Sequence, residues 1–482
     1  MHGTHAESHQ ASHAGVRPRL RRPNPAVIAA AAALLAGIGV AGCQGHAAPA
    51  AASSAARSPS SSGAEQSSVA APVPLEWSAA RAPLPADADG VSGQFASLTD
   101  VSCPKAGSCV AVGYDKASGA SGDVFQGLVE TLSGGTWTPT AVPDVSSAKG
   151  VAMLSAVSCP APGSCVAVGF FSSATGVLTP VIETLSGGRW NLVKPPLPGD
   201  AVTSASATLT DVACPAAGTC VATGWYSSEA GDHDGYVDTL ANGTWTAADG
   251  LLPADADPEQ FSSTASTYLA AIACPAAGTC VASGQYRDVR GQTRAFIDTL
   301  AGDAWTATAA PLPGDAATTG QVAGLWAVGC PAPGTCVAAG HYLKRGGQPR
   351  FLTETLSASG AWTAAAPSLP ADAAADQKWS EYANTTVGGL ACESAGNCVA
   401  SAGYVTKTNA LVPLIETLSG GTWAAAKAPL PADAVSGSGQ ANGAYLELVT
   451  CPAAGSCVIV GSYPAADGSV EGLIETAVPR HG

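Results

Sequence analysis

Charge is the scarcest property of this chain. Asp, Glu, Lys and Arg together make up 12% of its 482 residues, about half the share of an ordinary globular protein. Basic residues are in deficit, 21 against 36 acidic, for a formal net charge of -15. Such a surface repels phosphate backbones, so nucleic acid is excluded as a partner of the whole molecule. Methionine (2) and aromatics (6%) are sparse. No long amphipathic helical pattern appears, and there is no phosphate loop, no Ser-His-Asp arrangement and no usual zinc spacing. Glycine (56) and proline (35) are plentiful but do not recur every third residue, which excludes collagen. Mean hydropathy is positive, +0.19, yet only the apolar run at 26–41 is long enough to consider as a membrane segment.

That run explains itself by its neighbours. Arg17, Arg19, Arg21 and Arg22 precede it and small residues end it, which is the layout of a secretory signal. It is short for a span, which needs about 20 residues. It closes on Val40-Ala41-Gly42-Cys43, a tetrapeptide that resembles the bacterial lipobox. The resemblance implies that Cys43 is lipidated and becomes the mature N-terminus, and that the protein sits on the outer side of the cytoplasmic membrane. A plain signal peptide with an incidental cysteine is the other reading. Arg21-Arg22 hints at twin-arginine export, although Pro23-Asn24-Pro25 follows where apolar residues are expected, so the export route stays open. Residues 1–42 are therefore expected to be a lipoprotein signal peptide. Residues 43–74, mostly Ala, Ser, Pro and Gly, read as a flexible tether, because that composition cannot form a core.

Everything after the tether is one unit repeated. It reads Trp, a polar run, Leu-Pro-x-Asp-Ala, a variable stretch, then Leu-x-x-Val-x-Cys. Pro-x-x-Gly-Ser/Thr-Cys-Val-Ala-x-Gly-x-Tyr follows, then a second variable stretch and Ile-Glu-Thr-Leu-Ser-Gly-Gly-Thr before the next Trp. The tryptophans are Trp77, Trp137, Trp190, Trp245, Trp305, Trp362 and Trp423, spaced 53 to 61 residues apart. The acidic position is Glu130, Glu183, Asp238, Asp298, Glu354, Glu416 and Glu475.

Each unit holds four short segments rich in Val, Thr and aromatics and bounded by Gly and Pro, which read as strands. Ser-Gly-Gly and Asn242-Gly243 supply the positive φ of a tight hairpin between the third and fourth. The repeats are offset. The chain opens with a fourth strand around Trp77 that has no preceding three, and it ends on a third strand with no Trp strand after it. The two fragments sum to one unit, whereas a solenoid needs atypical caps at both ends. Residues 75–482 are thus expected to form an all-β, seven-bladed propeller of four-stranded antiparallel blades, with the N-terminal strand closing the last blade.

The pattern resembles the Asp-box (bacterial neuraminidase repeat) propellers, in which a Gly-Gly-x-Thr-Trp segment ends each unit. The Ser-x-Asp-x-Gly core of that motif is replaced here by Glu-Thr-Leu-Ser-Gly-Gly. The resemblance implies the fold over about residues 75–478. The activity it suggests is glycan hydrolysis of the glycosidase or sialidase kind.

The cysteines form fourteen paired residues plus Cys43. Cys103 goes with Cys109, Cys159 with Cys165, Cys214 with Cys220, and Cys274 with Cys280. The later pairs are Cys330 with Cys336, Cys392 with Cys398, and Cys451 with Cys457. Two cysteines across a tight hairpin are neighbours on adjacent strands, and an exported protein meets an oxidising compartment, so seven disulfides follow. Zinc is the rival, but the repeats hold only two histidines, His233 and His341, and neither metal nor cofactor is expected. The repeated acids read as structural, and the Asp of Leu-Pro-x-Asp-Ala as a turn residue.

Function is expected where the repeat is broken. The Cys-Pro-x-x-Gly and Gly-Gly turns share one face, and the variable loops share the other. On the variable face lies a basic group, Arg287, Arg290, Arg294, Lys344, Arg345 and Arg350, in equivalent loops of neighbouring units. Beside it are the aromatics Phe95, Phe261, Tyr268, Trp379, Tyr382 and Tyr445, with Trp379 and Tyr382 the next ligand candidates. Asp100, Asp211, Trp326 and Glu447 interrupt small residues near the channel mouth, and Asp232-His233-Asp234 is a further polar loop. The expected function is a non-enzymatic, monomeric cell-surface binding or scaffolding lipoprotein. Its ligand would be an envelope polymer or protein, and its membrane contact the lipid anchor. The competing expectation is a glycan-active enzyme using Asp100, Asp211 and Glu447, since glycosidases need paired carboxylates.

Overall fold

The computed structural model describes residues 75–479, apart from residue 87 and segments 89–93, 117–124, 143–150, 173–174, 230, 232, 258–266, 376–386, 395 and 436–442. The signal, the tether, Cys43, Phe261, Asp232, Trp379 and Tyr382 therefore lie outside the described residues. The described elements are 28 strands in seven antiparallel four-stranded sheets, and no helix occurs among them. Blades one to six span 96–141, 151–193, 207–249, 268–309, 324–365 and 387–427. Blade seven combines 445–479 with Leu75–Arg81. This is the seven-bladed propeller expected from the repeat.

Closure follows the offset. Leu75–Arg81 pairs antiparallel with the last strand, Val470–Pro479, from Leu75 opposite Pro479 to Arg81 opposite Leu473, with Trp77 facing Ala477. The core then runs between neighbouring blades, as strands apolar on both faces require. The seam is packed like any other junction: Leu98, Val101 and Leu128 of blade one meet Val458, Val460 and Ile474 of blade seven. The repeated tryptophans pack partly buried against these inter-blade clusters.

Local chemistry fixes the hairpins. Gly134 (φ 59°) and Gly135 (φ 82°), and Asn242 (φ 52°) and Gly243 (φ 78°), take the left-handed backbone that a two-residue turn between third and fourth strands demands. All seven cysteine pairs are disulfides within their own hairpins. Cys103 is bonded to Cys109, Cys159 to Cys165, Cys214 to Cys220, and Cys274 to Cys280. Cys330 is bonded to Cys336, Cys392 to Cys398, and Cys451 to Cys457. Their Cα atoms are 4.0–4.2 Å apart, the separation of facing residues on adjacent strands. Every thiol of these pairs is thus taken up covalently, and none is left as a zinc ligand. In the chain-entropy account, each short loop adds roughly 2 kcal/mol.

The aspartate of Leu-Pro-x-Asp-Ala does more than shape a turn. In blades three to seven it accepts a hydrogen bond from the tyrosine of the following blade's second strand. The pairs are Tyr226–Asp200, Tyr286–Asp255, Tyr342–Asp315, Tyr404–Asp372 and Tyr463–Asp433, at 2.8–3.1 Å. Each bond pins the connection that enters a blade, and so sets the base of the variable loops. In blades one and two the tyrosine is replaced by Asp115 and Phe171.

Candidate functional site

The variable face is built from strand ends that the repeat holds rigid. Two cavities open there, and a third space is the central channel.

The basic group does not assemble as one patch. Arg290, Arg294 and Arg345 line a cavity of about 350 Å³ at the junction of blades four and five, together with Gln292, Gln321 and the turn at Pro313-Gly314. Among the described residues, no carboxylate lines it. Arg294 is held from behind by buried Asp288, at 3.6 Å, and Asp288 Oδ1 also accepts the Arg290 and Gln292 amides, each at 2.9 Å. Arg345 donates to the Gly314 carbonyl, which draws its side chain across the connection between the blades. Gln321 is tied by bonds to the Ala317 and Leu343 carbonyls, at 3.1 and 3.0 Å. The other basic residues point elsewhere. Arg287 pairs with Asp257 on the connection before blade four, at 3.8 Å. Arg350 reaches the Ala375 carbonyl after blade five, at 3.5 Å. Lys344 ends its strand outside the cavity.

The channel-mouth carboxylates are also divided. Asp100 and Asp211 line the central channel, a space of about 240 Å³, whereas Glu447 lines a different cavity. Asp100 accepts the Val101 amide (2.5 Å) with one oxygen and the Val157 amide of blade two (2.6 Å) with the other. Asp211 does the same with Val212 and with Ile272 of blade four, both at 2.7 Å. The preceding threonines add a parallel link, Thr99 to the Leu154 carbonyl (2.7 Å) and Thr210 to the Leu269 carbonyl (2.8 Å). These pairs bolt one inner strand to the next. Burial pushes the Asp211 carboxyl up to about 7 against its two amide bonds. Asp100 lies well above the carboxylate range through burial and then the charge of Asp211. With both oxygens engaged by amides, neither is placed as a free acid or nucleophile.

The histidines are held in aromatic stacks. His233 lies on Trp225, centroids 4.6 Å apart. Buried His341 accepts the Trp326 indole N–H at 2.8 Å, and burial lowers its imidazole to about 4. Trp326 in turn tilts against Tyr268 at 5.3 Å.

The third feature is only partly visible in the sequence. A cavity of about 620 Å³ lies at the closing seam, between blade seven and blade one, and brings together Phe95, Tyr114, Tyr445 and Glu447. Phe95 and Tyr445 stand out in the sequence as loop aromatics and Glu447 as a channel residue. Tyr114, which sits where blade three has Trp225 and blade five His341, does not. That position is variable in every blade, so the repeat pattern carried no signal for it.

No family model matches the chain, and no curated protein matches it. Solved structures similar in fold include a Dyadobacter fermentans protein of unknown function (10% identity, TM-score 0.44, 84% of this chain and 99% of that one). A Trypanosoma rangeli sialidase is similar at 12% identity and TM-score 0.39, over 79% of this chain and 53% of the sialidase. The lectin SapL1, solved with alpha methyl fucoside, is similar at 13% identity and TM-score 0.37, over 72% and 98%.

Proposed function

We propose that this protein is a non-enzymatic binding lipoprotein of a bacterial envelope. Cys43 tethers it to the outer side of the cytoplasmic membrane, and the variable-loop face meets an anionic polymer. One observation carries the reading: Arg290, Arg294 and Arg345, from two blades, share a cavity that no carboxylate among the described residues lines. In a chain of net charge -15, such a cavity is a local inversion of sign. Guanidinium groups grip planar phosphate and carboxylate groups through paired N–H donors. The engagement of Asp100 and Asp211 with backbone amides favours binding over hydrolysis.

The test starts from Cys43→Ser, which should release the propeller into the medium. Unchanged fractionation would count against the anchor. The released protein should then be retained by immobilised polyphosphate or polygalacturonate at low salt and eluted as salt rises, because exposed charges are screened over about 8–10 Å. Changing Arg290 and Arg345 together to Ser should weaken retention about tenfold with the melting temperature unchanged. A double variant that binds both polymers like the parent would remove this site from consideration.

A further inference from the structure

The seam cavity has a chemistry opposite to that of the arginine cavity. Phe95 and Tyr114 stack with centroids 5.7 Å apart and planes 14° from parallel. Phe125 braces both edge-on, at 5.5 and 5.6 Å. Tyr445 contributes a third aromatic to the lining. Among the described residues, one ionisable acid, Glu447, projects into this largely apolar space and no basic residue lines it.

Several other polar groups of the lining are engaged with the protein. Ser97 is bonded to the Tyr114 hydroxyl. Ser469 Oγ lies 2.6 Å from both Asp467 and Glu471, and Glu471 is neutralised by Arg81 at 2.7 Å. Glu447 differs. Burial alone drives its carboxyl up to about 7, with no hydrogen bond or ion pair among the described residues to offset it. A carboxylate placed beside aromatic faces and left without a donor costs free energy in the empty protein. A ligand that brings one positive charge and an apolar body recovers that cost. A neutral polyhydroxylated ligand brings no charge to offset it.

The sequence accounts for the site. Glu447 occupies the position held in blades one and three by Thr99 and Thr210, which bond the carbonyl of the next blade. A glutamate cannot donate that bond when ionised, and its longer side chain lies instead in the cavity that Tyr114 lines. From these observations we infer that the cavity between blades seven and one is a binding site for a small organic cation of the substituted-ammonium class. Glu447 supplies the counter-charge, and Phe95, Tyr114 and Tyr445 supply the aromatic faces. A volume of about 620 Å³ lies within the range of small-molecule sites. This inference is independent of the anionic-polymer reading, which concerns another junction of the ring.

The experiment is calorimetric titration of the soluble protein with benzyltrimethylammonium, with choline, and with 3,3-dimethylbutan-1-ol, the uncharged carbon isostere of choline. Both cations should bind and compete with each other, and the alcohol should bind at least about tenfold more weakly than choline. Glu447→Gln, which keeps the shape, should lower cation affinity about tenfold and leave retention on polyphosphate intact. Phe95→Leu should weaken the cations while leaving the melting temperature near that of the parent. If choline and its carbon isostere bind equally, or if Glu447→Gln binds both cations like the parent, the inference is overturned. Co-sedimentation with phosphatidylcholine vesicles, reversed by choline, would place the ammonium on a lipid headgroup. Choline binding without co-sedimentation would place it on a free solute.

Discussion

Gly340 follows Val-Ala-Ala in the second strand of blade five, at a position that is glycine in six of the seven blades. A Cβ there would stand 1.9 Å from the Gly324 carbonyl oxygen, and at Gly113 it would stand 2.0 Å from that of Ser97. The cause is the irregularity in the inner strand, where the register shifts between Leu325 and Ala327 and between Leu98 and Asp100. The shift turns a carbonyl toward the neighbouring backbone. Blade six carries Ala402 instead and has Gly388-Gly389 on its inner strand, so space is provided from the other side. Gly340→Ala should therefore lower stability by about 1–3 kcal/mol, the usual cost of forcing atoms into a filled space, measured by denaturant midpoint. An unchanged midpoint would show that the strand yields at no cost. The glycine was legible as part of the repeat. Its reason was not, since a periodic pattern does not reveal which carbonyl a bulge turns inward.

Among the elements, the third strand of each blade carries the least expected burial. Its repeated acid is fully enclosed, and in blades one to six it faces an alanine of the second strand, such as Ala111 opposite Glu130 and Ala338 opposite Glu354. Asp298 behaves as a structural acid is expected to, accepting the Leu251 and Thr299 amides. The carboxyl oxygens of Glu130, Glu354, Glu416 and Glu475 accept no hydrogen bond among the described residues. Burial instead pushes these groups up, to about 8 for Glu130, Glu354 and Glu475 and about 7 for Glu416. For Glu130, the charge of Asp115 adds to the effect. The folded protein thus keeps protons that the unfolded chain releases above its ordinary value of 4.5. Stability from these groups is complete below that value and declines as pH rises through the window up to about 8. The melting temperature should fall on the order of 5–10 °C between pH 5 and pH 8. Glu354→Gln should make that slope shallower and raise stability at pH 8. A melting temperature that climbs over the same range would contradict the protonated state of the ring.

For the whole molecule, closure rests on seven residues at the start of the globular part. Leu75–Arg81 supplies the outer strand of blade seven and covers the edge of Val470–Pro479. Deleting 75–84 should leave that edge bare, and exposed strand edges recruit other chains, so the variant should aggregate or elute above monomer size. Deleting 46–70 should leave the melting temperature unchanged. Equal behaviour of the two deletions would argue against a ring closed by this strand. The two cavities also belong to this scale. Each forms where consecutive blades meet, and they lie at separate junctions on the variable face of the ring.

Blade number, strand order, the seven hairpin disulfides and the closing strand were all determined by the sequence alone. Each is written locally: a tight turn needs its glycines, a hairpin disulfide needs cysteines at short separation, and an offset repeat can close only on itself. The grouping of the arginines and acids was decided by the tertiary structure. Six basic residues on equivalent hairpins of blades four and five divide, because Arg287 and Arg350 face the outer connections while Arg290, Arg294 and Arg345 turn toward the same junction. Asp100 and Asp211 remain on the channel and Glu447 leaves it, although the three stand within one residue of each other in the repeat. The physical reason is the bulge in each inner strand. Side chains in a strand alternate between faces, so one inserted residue sends neighbours in opposite directions, and only the packed ring specifies which neighbour each one meets.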